Sequence, residues 1–225
     1  LLDIFRRVLK NTKYFDILVG YFRASGFYNL YDALENVEKI RVIVGLKLDE
    51  HTWDVHRLAH DEPQINFKST PLIKSEYRKE LRDDIQSTDD NFETNTGLQK
   101  FVEFIRSGKL EMKVYPHQAI HAKVYILRKP EDDEDYGKVI TGSSNFSYSG
   151  LHENLEFNVE LKQAYDVRFA LEKFENLWAD SIDITPEFVQ TVTEDTWVND
   201  SITPYELYLK FLYEYFKVDL SYDYD

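Results

Sequence analysis

Apolar and basic residues alternate at helical spacing over residues 1–11, with Leu1, Ile4, Phe5, Val8 and Leu9 on one face, and predict an amphipathic helix. The period then changes. Residues 14–22 (YFDILVGYF) place Ile17, Leu18 and Val19 in a short apolar run that stops at Gly20, the pattern of a buried strand. Helical spacing returns over 27–37 (FYNLYDALENV), and a second β-branched run follows at 39–48, bounded by Asn36 and Asp49. Helix, strand, helix and strand in this order imply a crossover unit and an α/β layer. From 51 to 108 the chain is polar and irregular, with helices expected at 74–86 and at 98–108, the second stopped by Gly108. Four strands are expected close together at 110–116, 120–127, 138–144 and 154–162, closed by an amphipathic helix at 166–180. Beyond Asp180 the chain turns Thr-, Glu- and Tyr-rich, and 203–216 (TPYELYLKFLYEYF) reads as a helix capped by Thr203 with Pro204 at its first position. The expectation is an α/β fold over 1–180, a mixed central β-sheet flanked by helices on both faces, with a helical extension over 181–225.

Strand alternation decides which side chains share a face. In 120–127, Ile120, Ala122, Val124 and Ile126 point one way and His121, Lys123, Tyr125 and Leu127 the other. In 154–161, Leu155, Phe157, Val159 and Leu161 form the face expected to be buried, and Asn154, Glu156, Asn158 and Glu160 the polar one. Between them, GSSNFSYSG (142–150) offers a glycine that lets backbone approach a ligand, and Ser143, Ser144 and Asn145 as short polar groups at a strand end. If the strands are adjacent, a His, a Lys and carboxylates converge beside groups able to hold a phosphate. His121 is the natural nucleophile, because imidazole is nucleophilic near neutral pH and forms a phosphoramidate that water discharges.

Charge and composition narrow this reading. The net charge of −14 repels polyphosphates globally and excludes a protein built to coat nucleic acid, so any phosphate site is local. No cysteine is present, which removes disulfides, thiolate nucleophiles and Cys-based zinc sites and fits a reducing compartment. No apolar run is long enough to span a bilayer, and a cytoplasmic location without membrane partners is expected.

His-x-Lys followed by Gly-Ser-x-x-Asn, here His121, Lys123, Gly142, Ser143 and Asn145, resembles the signature of the phospholipase D superfamily. Glu156 sits where single-motif members carry a Glu that supports the catalytic His. The resemblance implies a phospholipase D/nuclease-like fold, a covalent phosphohistidine, no metal and no cofactor, and two motif copies per active site. Catalytic roles then fall on His121, Lys123, Asn145 and Glu156, and phosphate binding on Lys123, Ser143 and Asn145.

The pattern departs at one point. The family Asp five residues after the Lys is replaced by Arg128, which leaves that role vacant. The stretch from Lys123 to Gly142 is also seven residues longer than the full pattern; the extra length falls in 129–137 (KPEDDEDYG), expected as a hairpin with an acidic tip at 131–135. None of the other histidines, His51, His56, His60, His117 and His152, has a Lys two residues on, so a two-copy site requires a homodimer.

A softer resemblance covers most of the chain. Segments such as ILVGYFRASGFYNL, RVIVGL and NLEFNVEL are similar to the phospholipase D-like domain preceding the motor of bacterial superfamily II DNA/RNA helicases. It implies a nucleic-acid partner, DNA rather than RNA, and a chain excised from a longer helicase. The alternative is a weakly active or inactive nucleic-acid-binding or docking module of the same helicase; lipid hydrolysis is the poorer reading, for want of a membrane-binding segment. Tyr21, Arg23 and Ser25 follow the first strand, where α/β proteins place ligands, although a plain turn explains them equally well. His56 and His60 read as a surface helix, His117 as a loop residue, and the aromatic C-terminal segment as packing or partner contact.

Overall fold

A computed structural model describes residues 1–45, 92–118, 120–130, 136–153, 155–186 and 189–190, with scattered helical residues at 70–82 and 208–212. The histidines at 51–60, the acidic tip at 131–135 and most of the expected 203–216 helix lie outside the described residues.

Helix α1 (Leu2–Leu9) forms where the amphipathic pattern places it, burying Phe5, Val8 and Leu9; Thr12 Oγ1 donates to Val8 O at 3.0 Å just beyond its end. Strand β1 (Tyr14–Val19) stops before Gly20. The single helix expected at 27–37 is two short ones, α2 (Ala24–Tyr28) and α3 (Tyr31–Leu34). Leu30 breaks the run with φ −128°, turning a fully buried side chain into the core. Strand β2 (Lys39–Val44) follows, then α4 (Phe92–Arg106), β3 (Leu110–Val114), β4 (Lys123–Arg128), β5 (Gly137–Gly142), a π-turn at Ser149–Glu153, β6 (Asn158–Leu161), α5 (Ala164–Ala179) and β7 (Ile182–Asp183). Helix α4 starts six residues before the expected 98, and β7 extends the sheet past Asp180.

The strands form one mixed seven-stranded sheet in the order β6-β5-β4-β1-β2-β3-β7. β1, β2 and β3 run parallel, β4, β5 and β6 succeed one another antiparallel on one side, and β7 is antiparallel to β3 at the far edge.

Both faces of the central strands are covered, so these strands read as near-continuous apolar runs. On one face Phe15, Ile17, Val19, Val42, Tyr125 and Leu127 pack against α1 and the helices around Phe27, Leu34 and Phe101. On the other, Leu18, Ile43, Ile126 and Val139 pack against Val167 and Phe174 of α5, with Ile120, Ala122 and Val124 beside them. Over Val124–Leu127 the two faces are divided as the alternation predicts, but both are buried over Tyr125–Leu127.

The expected burial of Leu155, Phe157, Val159 and Leu161 does not occur. Phe157 is 77% exposed, and Val159 and Leu161 are exposed too. Among the described residues α5 packs over β5 and β4, and the apolar row of the outermost strand β6 stays exposed beside it.

One ionic cluster lies within the α5 face. Asp16, 1% exposed, accepts from Arg41 Nε at 2.6 Å on one side and Arg128 Nη2 at 2.9 Å on the other. Arg41 also donates to Glu175 of α5 at 2.7 Å and lies over the Phe174 and Trp178 rings. Burial alone would lower the Arg41 pKa, but its hydrogen bonds to Asp16 and Glu175 outweigh that and hold it raised. Removing one partner of a buried ion pair strands the other, so Asp16→Ala is expected to lower the free energy of unfolding by about 3–5 kcal/mol. Urea denaturation followed by Trp fluorescence measures this; an unchanged midpoint would show that the cluster adds no net stability.

Candidate functional site

The strand directions bring the C-terminal ends of β1 and β5 and the N-terminal ends of β4 and β6 to one end of the sheet, where α/β folds hold ligands. Lys123 opens β4 opposite Val19, and Val124 pairs with Thr141, whose hydroxyl donates to Lys123 O at 2.9 Å. His121 precedes the strand rather than lying in it, is exposed, and accepts a 3.0 Å hydrogen bond at its carbonyl from Lys123 Nζ. Gly20 makes this close packing possible: a Cβ there would meet Ile120 O at 2.2 Å.

Gly142 serves a purpose other than the one its sequence context suggests. A Cβ at 142 would lie 2.0 Å from Phe157 O, so the glycine admits the backbone of the neighbouring chain segment, not a ligand. Ser143 closes that junction, its N–H donating to Phe157 O and its Oγ accepting from Phe157 N, both at 3.0 Å. The Ser143 hydroxyl also donates to Glu156 Oε2. Like His121, Glu156 lies just outside its strand, two residues before β6.

Ser144 is not available to a ligand. It is fully buried, its carbonyl accepts from Tyr125 Oη at 2.7 Å, and its hydroxyl accepts from Asn158 Nδ2 at 2.8 Å. Tyr125, two residues past Lys123 on the same face of β4, thus supports the Ser143–Asn145 turn from below. Burial, and then the nearby charge of Glu156, push its phenol pKa up, so it stays a neutral donor.

Asn145 and Glu156 line a cavity of about 350 Å³ together with Tyr21, Arg23, Ser25, Ser147, Tyr148, Ser149 and Gly150. His121 and Lys123 stand on the adjoining strand end, outside this lining. Asn145 Oδ1 is buried and has no hydrogen-bond partner. The post-β1 residues Tyr21, Arg23 and Ser25 therefore form a wall of the site. Tyr148 and the buried Ser147 were missed in the sequence, although they belong to the same GSSNFSYSG stretch. Among the described residues no group of three or more His, Asp or Glu is placed to hold a metal ion, and no helix is long and apolar enough to cross a membrane.

Arg128 lies elsewhere. Its position alternates with Leu127, so it projects from the α5 face toward Asp16, away from the face that carries Tyr125 and Lys123. The acid missing at position 128 is thus not missing from the cavity. Glu160, a residue expected to lie on a solvated strand face, pairs instead with Lys138 at 3.1 Å and Arg7 at 3.7 Å.

Residues 5–178 match the family described as cardiolipin synthase, PLD-like domain. The chain belongs to that family. Among solved structures, this PLD-like domain is similar to Nuc, a phospholipase D family member from Salmonella typhimurium, with 13% identity and a TM-score of 0.45 over 80% of this chain and 88% of that one. It is also similar to NucT from Helicobacter pylori, with 10% identity and a TM-score of 0.43 over 81% of this chain and 89% of that one. No curated protein matches the chain.

Placing a methyl at the β5–β6 junction tests the reading of Gly142. Gly142→Ala is expected to force the strands apart and lower unfolding free energy by about 1–3 kcal/mol, the usual cost of overpacking. A variant as stable as the parent would return Gly142 to the role of a ligand contact.

Proposed function

We propose that this PLD-like domain is a metal-independent phosphodiesterase acting on nucleic acid, DNA rather than RNA, at a site completed by a second copy of the chain. The observation that carries the reading is the gathering of the His121–Lys123 segment, the Ser143–Asn145 turn and Glu156 at one end of the sheet, beside a polar cavity.

His121 of one copy attacks phosphorus as the bond to the leaving oxygen breaks, and the leaving oxygen takes its proton from the partner's His121. Water then attacks the phosphohistidine, giving its proton to that same imidazole, and the P–N bond breaks to free the phosphate. Lys123 and the amide N–H of Asn145 hold non-bridging oxygens as charge builds. Ser143, whose one hydroxyl proton is given to Glu156, steadies that carboxylate rather than donating to the phosphate as the sequence suggested, and Glu156 orients a His121.

The second copy is supported by the exposed apolar row Phe157, Val159 and Leu161, which starts next to Glu156; Tyr165 and Phe169 of α5 are exposed as well. Among the described residues β6 is an edge strand, and an apolar edge continuous with the site suits a self-complementary two-fold contact. Service to a DNA/RNA helicase rests on the sequence resemblance alone.

The second reading, a docking module that keeps the phosphate pocket, is favoured by one observation: Lys123 turns its ammonium onto the His121 carbonyl, and neither residue lines the cavity. Cleavage of an oligonucleotide separates the two. His121→Ala is expected to reduce cleavage by about 10³-fold or more while EDTA leaves it unchanged; EDTA-sensitive cleavage, or none lost on substitution, would overturn the catalytic assignment. Phe157→Asp is expected to shift the chain from dimer to monomer in sedimentation velocity and to abolish cleavage with it; a parent chain that sediments as a monomer would rule out the shared site.

A further inference from the structure

The wall of the cavity that does not come from the His-x-Lys or Gly-Ser-x-x-Asn segments is the loop after β1, and its construction is specific. Arg23 N donates to Phe146 O at 2.9 Å, and Tyr148 N donates to Ser25 Oγ at 3.2 Å. Phe22 and Phe146 form an isolated bridge, and their rings stack at 5.2 Å with Phe101 against the far side of Phe22. The two loops are thus joined through backbone and aromatic core, which positions the 21–25 loop against the Asn145 turn. With Phe22 turned into the core, its neighbours Tyr21 and Arg23 both reach the cavity. The Arg23 guanidinium lies 4.9 Å from the centre of the Tyr21 ring.

Among the described residues lining this cavity, Arg23 is the cation and Glu156 the carboxylate, amid the hydroxyls of Tyr21, Ser25, Ser147, Tyr148 and Ser149. A guanidinium stacked on an aromatic ring presents its planar donors in the geometry that suits phosphate, and the stacking limits the freedom lost on binding. In a chain of net charge −14, a cation fixed there attracts an anion locally, against the global field. The loop leaves β1 directly after Val19, the partner of Lys123, so it rises from the same end of the sheet as the His121–Lys123 segment. The hydroxyl-rich lining fits a phosphate and sugar better than an acyl chain.

We propose that Arg23, stacked on Tyr21, binds the phosphate adjacent to the scissile one in a single-stranded nucleic acid and so positions a polymeric substrate. This deepens the phosphodiesterase reading and rests on it for the word scissile; the binding itself does not depend on catalysis. Arg23 is a positioning residue, not a catalytic one.

The test has a binding arm and a turnover arm. In the binding arm, fluorescence anisotropy of a labelled single-stranded oligonucleotide is measured with the parent chain carrying His121→Asn, with and without Arg23→Ala or Arg23→Lys. Arg23→Ala is expected to weaken binding about tenfold and to reduce the slope of log affinity against log salt by about one, with Arg23→Lys restoring the slope. In the turnover arm, on the His121 chain, Arg23→Ala is expected to lower kcat/KM for the oligonucleotide about tenfold more than for bis(p-nitrophenyl) phosphate, which has no adjacent phosphate. Unchanged oligonucleotide affinity, an unchanged salt slope, equal losses on both substrates, or displacement of the oligonucleotide by monomeric short-chain phosphatidylglycerol would each overturn the assignment. A parent chain that binds the oligonucleotide but cleaves neither substrate removes the phosphodiesterase reading and leaves the binding arm to decide. Arg23→Gln, which keeps most of the side-chain bulk, replaces Arg23→Ala should the latter unfold.

Discussion

A buried carboxylate held between two guanidiniums is the constraint on which this fold turns. Asp16 sits in the middle of β1, the strand flanked by β4 and β2, and takes Arg128 from one and Arg41 from the other. Arg41 then carries the connection out to Glu175 of α5. Desolvating these charges is expensive, and the expense is met only if all three strands keep register and the helix lies over them. A slip of one residue in β4 would turn Arg128 to the opposite face and leave Asp16 with one partner. The same slip would move Lys123 off Val19 and Val124 off Thr141, dismantling the junction where the motif residues meet. The cluster and the site lie toward opposite ends of the same strands, and one register serves both.

This changes the meaning of Arg128 as a departure from the superfamily pattern. As sequence, Arg128 in place of an acid looks like a lost functional group. In the fold, position 128 faces away from the site and the β1 side chain it reaches, Asp16, is already acidic, so an arginine completes a pair rather than leaving a gap. The charge that matters at that position is set by Asp16 and Arg41, not by a phosphate.

Much of the architecture was legible because period and burial agree. The apolar runs at 17–19 and 40–44 are buried on both faces, and the amphipathic 166–180 segment is the helix that covers one of them. The division of the strand part of 120–127 into two faces also came through, since alternation is a property of the backbone alone. Alternation says nothing of what lies over each face, and there the reading of 154–161 failed: its apolar row is real but faces solvent. The break at Leu30 was hidden because an apolar residue at helical spacing looks the same whether it continues the helix or turns into the core. For the site, the motif spacing located the Gly142–Asn145 turn and Glu156. It could not show that Gly142 accommodates Phe157, that Ser144 is consumed by Tyr125 and Asn158, or that Arg23 is carried to Asn145 by a contact between residues 123 positions apart.

The edge strand β6 draws these threads together. One end of it approaches Gly142 and lets Ser143 clasp Glu156, so the strand is part of the site. Its polar alternates are engaged: Asn158 bonds Ser144, and Glu160 is ringed by Lys138, Arg7 and Lys162. Its apolar alternates are exposed together with Tyr165 and Phe169. Native sheets usually protect an edge by placing charge on the exposed face; here the charges point toward α1 and the exposed face is apolar. An edge left in that condition, adjoining a site with a single His-x-Lys, is the arrangement that a two-fold partner would complete. Burial of the row and provision of the second histidine would then be one event, and catalysis would be coupled to assembly by geometry alone.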